Sequence, residues 1–384
     1  MEKSINDVAA PSWAELLGSN NWEGLLDPLD LSLRRFLLHC GDLVQCVGDA
    51  YIRDNSPYVG NSRYGEKTFF RKVKFPSASA YQISSFLYAT STLDIFPDSE
   101  TNFIGYVATS TSTIPGRGRV IYVAWRGTES TLEWLNNAHI VPVPASAITP
   151  DAPGNVMDGW IRIYTSSNPN SQFGKLSARE QLRAQILQLR DQYKDENLSI
   201  VVAGHSLGAA LAVLSAFDLV ENVVPDIPVT AIVFACPRVG DGAFVERLGT
   251  HPSLKILHTK NLLDPVPNLP PVEFGYTDAG VELVVDGSKS PSLKPTDNNG
   301  DFHNLQGILH AVAGWHGAEG EFEVVVKRSL ALVNKASNLL TKECQIPESW
   351  WVAENKGMML DQDGEWVLKP PLDDNDDDCP AVPE

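Results

Sequence analysis

The sequence has no uninterrupted apolar run of about 18 residues or more, so no membrane-crossing helix is expected. Positive charge is scarce. Thirty lysines and arginines face 48 aspartates and glutamates, for a net charge of −18. An acidic surface disfavours nucleic acid as a partner, because phosphate binding needs a basic one. It also disfavours steady adhesion to anionic membranes, although a local apolar patch leaves transient contact with a membrane surface open. Cysteine is sparse too. Cys40, Cys46, Cys236, Cys344 and Cys379 are odd in number, widely spread and without metal-ligand spacing. No metal site is expected. The opening residues, "MEKSINDVAAPSWAELLG", lack a basic segment followed by an apolar core, and they are acidic where a transit peptide is rich in arginine and serine. Reduced thiols and a cytoplasmic location are the expectation. No internal repeat is present.

What the chain does contain is a regular alternation. Of its 384 residues 43% are hydrophobic and 20% charged, which suits one large α/β domain with additions or two smaller ones. Leu33, Phe36, Leu37, Cys40, Leu43, Val44 and Val47 recur at helical spacing and predict a helix over about Leu31–Asp49. Residues 55–64 read as a loop. From about Gly105 the pattern becomes α/β. "RVIYVAWRGT" begins as a continuous apolar run, as expected of a strand buried on both faces. Residues 142–155 read as a loop. Ser177 with Glu180 makes a capping-box pattern ahead of an apolar stripe at Leu182, Ile186, Leu189 and Tyr193. "LSIVVAG", "VTAIVFACP" and "LKILHTKN" are further strand candidates, and "FEVVVKRSLALVNKASNLL" reads as a short strand joined to a helix. Strands alternating with helices predict a mostly parallel sheet covered on both faces. The end, "PLDDNDDDCPAVPE", reads as a disordered acidic tail.

The chemistry centres on Gly204-His205-Ser206-Leu207-Gly208, which falls between a predicted strand and a predicted alanine-rich helix. Such a turn can expose a serine oxygen at a helix N-terminus, with flanking glycines where side chains would clash. Ser206 is then a candidate nucleophile, against the bland reading of a turn serine. An acid and a histidine are expected further along the chain. Asp264 sits after a predicted strand, where a doubly wound sheet gathers functional residues, yet it reads equally well as a turn residue before Pro265. Asp286, Asp297 and Asp301 are rival acids in segments that read as surface loop. His303 enters a predicted helix and is favoured over His310, placed beside that helix's apolar stripe, and over His316, in a glycine-flanked loop. His205 lies inside the turn and is expected to order it. An oxyanion would be met by the amide of Leu207 and by Thr128, after the strand ending at Trp125. Thr128 also reads as a simple strand-ending turn.

Beyond these residues, many ordered segments carry a resemblance. "NNWEGLLDPLD", "AWRGTES" with "EWLNN", "VMDGWIRIYTS", "SAREQLRAQI", "VVAGHSLGAALA", "FACPRVGD", "NLLDPVPNLPP", "HNLQGILHAVAG" and "LALVNKASNLL" together resemble the plant class II phospholipases A1, within the class 3 lipases of the alpha/beta-hydrolase group. The resemblance implies residues 1–100 as a helical and loop extension, 101–345 as the alpha/beta-hydrolase core, and 346–384 as a C-terminal segment, all in a single domain. It implies release of fatty acid from the sn-1 position of a glycerophospholipid, with nucleophile, acid and histidine on Ser206, Asp264 and His303, an oxyanion residue on Thr128, and no cofactor. The same residues also suit a mono- or diacylglycerol lipase, a galactolipid lipase or, in another class, a catalytically silent signalling protein on a lipase fold. Two positions depart from the family's habit: Ile308, where a tyrosine is common, and Leu263, where a proline often precedes the acid. Thr131–Pro144, with Leu132, Trp134, Leu135, Ile140 and Val141, reads either as a mobile cover over the site or as a fixed surface segment.

Overall fold

The computed structural model describes residues 10–53, 57–90, 101–113, 116–128, 140–150, 153–171, 173–352 and 354–369. Its centre is a seven-stranded sheet: β1 (Tyr81–Thr90), β2 (Thr101–Ser110), β3 (Arg119–Trp125), β4 (Leu198–His205), β5 (Val229–Phe234), β6 (Leu254–Asn261) and β7 (Val281–Val285). The strands lie side by side in chain order. β3 to β7 are parallel. β1 and β2 extend one edge antiparallel.

Side chains alternate across a strand, so each strand feeds two cores. On β3, Ile121, Val123 and Trp125 join one apolar cluster, and Val120, Tyr122 and Ala124 the other. The first cluster is closed by α2 (Asp158–Thr165), α3 (Ala178–Gln192), α4 (Leu207–Asn222) and α5 (Gly242–Gly249). The second is closed by α1 (Leu31–Ala50) and α6 (Leu305–Gly314). This is the expected α/β arrangement, helices on both faces of a mostly parallel sheet. The predicted capping box on Ser177 and Glu180 is formed and starts α3.

α1 and α6 approach closely. A Cβ on Gly41 would come within 2.2 Å of the Leu309 side chain. Buried Arg34 on α1 donates to the carbonyls of Val312 and Trp315, capping α6 from outside. On the other face Asp218 of α4 has no exposed surface, and Arg179 of α3 grips both its oxygens at 2.9 and 2.8 Å. Tyr164 of α2 donates to the same carboxylate at 3.0 Å, so one satisfied charge ties three helices together.

Three expectations are corrected. Tyr81–Thr90, inside the segment read as helix and loop, is a ten-residue strand. Residues 142–155 are not simply a loop: Pro142–Pro144 pairs antiparallel with Asn155–Met157 in a small four-stranded sheet with Gly240–Asp241 and Tyr276–Thr277. "FEVVVKRSLALVNKASNLL" forms neither a strand nor a long helix. Glu323 and Val325 bond the end of α6, and only Leu330–Asn334 winds, as a 3-10 turn. Asn334 then accepts from the amides of Leu339 and Leu340 at 2.7 and 3.0 Å, and that capture folds the chain back. The expected acidic tail, 371–384, lies outside the described residues.

Candidate active site

β4 and α4 meet at Ser206 without an intervening loop. Ser206 takes φ 59° and ψ −128°, a conformation that a side chain rarely adopts. The flanking glycines make it feasible. A Cβ on Gly204 would lie 2.1 Å from the Gly208 carbonyl oxygen, and one on Gly208 would lie 2.4 Å from that of Trp125. Backbone therefore meets backbone where any other residue would clash. The Ser206 amide donates to Phe234 O on β5 at 3.0 Å, which fixes the turn to the sheet.

The structure brings three of the predicted residues into one chain. Ser206 Oγ is 2.8 Å from His303 Nε2, and His303 Nδ1 is 2.7 Å from Asp264 Oδ2. All three residues are buried. Asp264 follows β6, and its second oxygen accepts from the Val266 amide at 2.9 Å. That bond leaves Oδ2 aimed at the imidazole. His303 lies between a short helical turn, Asn299–Phe302, and α6, which Asn304 caps.

The rival residues have other work. Asp286 caps a turn through the Ser288 amide, and Asp301 accepts from Thr296 at 2.7 Å. Asp297 is exposed. His310 is buried in α6, bonded to Ser290 Oγ at 2.7 Å, and burial lowers its pKa to about 4. His316 is exposed, with Nε2 3.0 Å from the Glu323 carbonyl. His205 reaches the His303 carbonyl at 2.7 Å, which orders the histidine loop as well as its own turn.

Of the two predicted oxyanion donors, Leu207 directly follows the serine. Leu207 opens α4, and a first-turn amide has no intrahelical acceptor. Gly127 packs so tightly that a Cβ there would lie 3.1 Å from Ser206 Cβ, which sets half-buried Thr128 one residue away. Arg126, which sequence reasoning overlooked, steadies this turn. It donates to Phe103 O at 2.8 Å and to Gly127 O at 3.0 Å, and it stacks over Tyr51. Asn261 was overlooked as well. It accepts from the Asp264 amide and donates to the Phe302 carbonyl. Both are polar residues at strand ends, a pattern that many inert residues share. Among the described residues no group of three His, Cys, Asp or Glu side chains is placed to hold a metal ion.

Of Thr131–Pro144, residues 131–139, with Leu132, Trp134 and Leu135, lie outside the described residues. Ile140 packs against the core and Val141 is exposed. Of the two departures, Ile308 on α6 is fully buried in the apolar cluster that α1 also lines, and Leu263 is exposed beside the acid.

A parallel sheet with a strained serine between strand and helix, an aspartate after a later strand and a histidine before the last helix defines the class: an alpha/beta-hydrolase. The family described as Lipase (class 3) matches residues 122–274. Phospholipase A1-IIdelta of Arabidopsis thaliana is 46% identical, over 94% of this chain and 96% of its own length. Phospholipase A1-II 5 of Oryza sativa subsp. japonica is also 46% identical, over 94% of this chain and 84% of its own. The chain belongs to the phospholipase A1-II family of class 3 lipases. Among solved structures, a lipase from Rhizopus microsporus var. chinensis is 22% identical, with a TM-score of 0.49 over 67% of this chain and 76% of that one.

Proposed function

We propose that the protein hydrolyses glycerophospholipids at the sn-1 ester through an acyl-enzyme on Ser206. The observation that carries this reading is the unbroken chain from Ser206 Oγ through His303 to Asp264, at 2.8 and 2.7 Å, in a member of the phospholipase A1-II family. Ser206 Oγ attacks the ester carbonyl while His303 Nε2 takes its proton. Asp264 holds the imidazole in the tautomer that makes this transfer and stabilises the imidazolium. The Leu207 amide and Thr128 stabilise the tetrahedral oxyanion. The proton then passes to the departing alkoxide of the lysophospholipid. Water, deprotonated by His303, releases the fatty acid and restores Ser206.

The substrate lies in a lipid surface, and the segments flanking Asp264 expose apolar side chains that suit one. Leu262 and Leu263 stand exposed directly before Asp264, and Val272 and Phe274 follow it. Val141 is exposed on a segment tied to Tyr276, which donates to the Ile140 carbonyl. Exposed apolar groups on these segments favour transient contact with a membrane over steady electrostatic adhesion.

The test offers the purified protein phosphatidylcholine labelled separately in its two acyl chains, alongside galactolipids and mono- and diacylglycerols. Release from the sn-1 chain of phospholipid is expected. Release mainly from sn-2, or only from the galactolipids or neutral glycerides, would overturn the assignment.

A further inference from the structure

The serine, histidine and aspartate are brought together by parts of the chain that lie far apart in sequence, and their alignment needs a fixed reference. We infer that Asn261 and His205 are positioning residues that clamp the His303 loop at two successive carbonyls and so set the alignment of Asp264, His303 and Ser206. The inference rests on Ser206 being the nucleophile.

Asn261 is the last residue of β6 and is buried. Its carbonyl accepts from the Asp264 amide at 3.0 Å. Its side-chain Nδ2 donates to the carbonyl of Phe302, the residue before His303, at 2.9 Å. Its Oδ1 accepts from the Gly287 amide at 3.1 Å, which fixes the side-chain amide in one orientation. One residue thus carries the backbone bond that shapes the acid loop and the side-chain bond that seats the histidine loop. A shift of Asn261 moves both.

His205 takes the next carbonyl. Its Nε2 lies 2.7 Å from His303 O. A carbonyl only accepts, so Nε2 carries the proton. Burial first, and the charge of His303 second, push the His205 pKa down to about 3. Burial therefore favours the neutral form of His205. That neutrality matters, because its ring lies 4.7 Å from the His303 ring, where a second cation would oppose the imidazolium. The two clamps come from β4 and β6, so the loop is referenced to the rigid sheet on both sides.

The test uses four variants: Asn261→Ala, Asn261→Asp, His205→Ala and His205→Gln. Each is compared with wild type for the rate at which a fluorophosphonate labels Ser206, for kcat and KM on phospholipid micelles, and for thermal unfolding. Rates are read well below each variant's unfolding temperature. Asn261→Asp keeps the acceptor for the Gly287 amide and removes the donor to Phe302, so it separates positioning from packing. It is expected to lower labelling and kcat by roughly 10²-fold while KM stays within about twofold. His205→Ala is expected to lower both by roughly tenfold, and His205→Gln, which restores a donor, to recover most of that loss. Wild-type labelling rates in folded Asn261 variants, a loss that falls on KM, or a glutamine no better than alanine would overturn the inference. A folded wild-type protein that does not label at all overturns the nucleophile assignment instead, which keeps the two failures apart.

Discussion

The elbow that carries Ser206 and the loop that carries His303 are held by different forces. At the elbow backbone meets backbone, with Gly204 and Gly208 at contacts no side chain can occupy. The pattern is written in five consecutive residues, and their backbone packs against Trp125 and bonds Phe234 on the neighbouring strands. The histidine loop is held by side chains: Asn261 from 41 positions away and His205 from 98. Sterics fix the first half of the site and long-range polar contacts the second. The elbow is therefore all or nothing, whereas the histidine loop can be loosened in steps.

The largest expected effect lies on the elbow. Ser206→Ala should reduce phospholipid turnover by roughly 10⁶-fold, measured as fatty-acid release by the folded variant. On the other half, Asp264→Asn should cost about 10⁴-fold in kcat with the melting temperature retained, because it upsets the imidazole tautomer while keeping the shape. Gly208→Ala tests the steric half directly. Its new methyl would meet the Trp125 and Arg126 carbonyls at 2.4 and 2.5 Å. It should destabilise by about 3 kcal/mol in urea unfolding, since overpacking here displaces backbone.

Acid sharpens the comparison most gently, because polar supports titrate and steric ones do not. Burial holds His205 and His258 at pKa values of about 3, and His39 and His310 at about 4. Those folded values lie below the unfolded value of about 6.5, so the folded protein binds fewer protons. The stability tied to neutral imidazoles is fully present above that pH and is lost as pH falls toward 4. Each histidine contributes up to about 1.4 kcal/mol per pH unit within the window. The urea midpoint should fall between pH 7.5 and 5.5. In His39→Phe it should fall less, because that ring lies among Phe75, Tyr81 and Tyr122 and its Nε2 makes no hydrogen bond among the described residues.

The same division explains what was legible in the sequence. The inner strands are apolar runs buried on both faces, and the elbow and the capping box of α3 are local patterns, so all of these can be read from neighbouring residues. β1 is not one of them. Its residues "YQISSFLYAT" are mostly half-buried at the sheet edge and show no clean alternation. "FEVVV" has the composition of a strand but finds the end of α6 rather than a sheet, leaving Val324 and Val325 exposed. Asp264 and His303 could be nominated by order and by adjacent elements, and preferred over Asp301 in its loop-like segment and over His310 beside an apolar stripe. Only the fold shows that those two bond Thr296 and Ser290 instead. Asn261 and Arg126 had no local signature, since their bonds to the Phe302 and Phe103 carbonyls reach distant segments.

The central claim is that Ser206 is activated by His303 and Asp264. Mass spectrometry of the fluorophosphonate adduct, with rates for wild type, Ser206→Ala and His303→Ala, tests it most directly. The account predicts one adduct, on the peptide containing Ser206, absent in Ser206→Ala and formed at least roughly 10³-fold more slowly in His303→Ala. An adduct on another residue, or His303→Ala labelling at the wild-type rate, would contradict it.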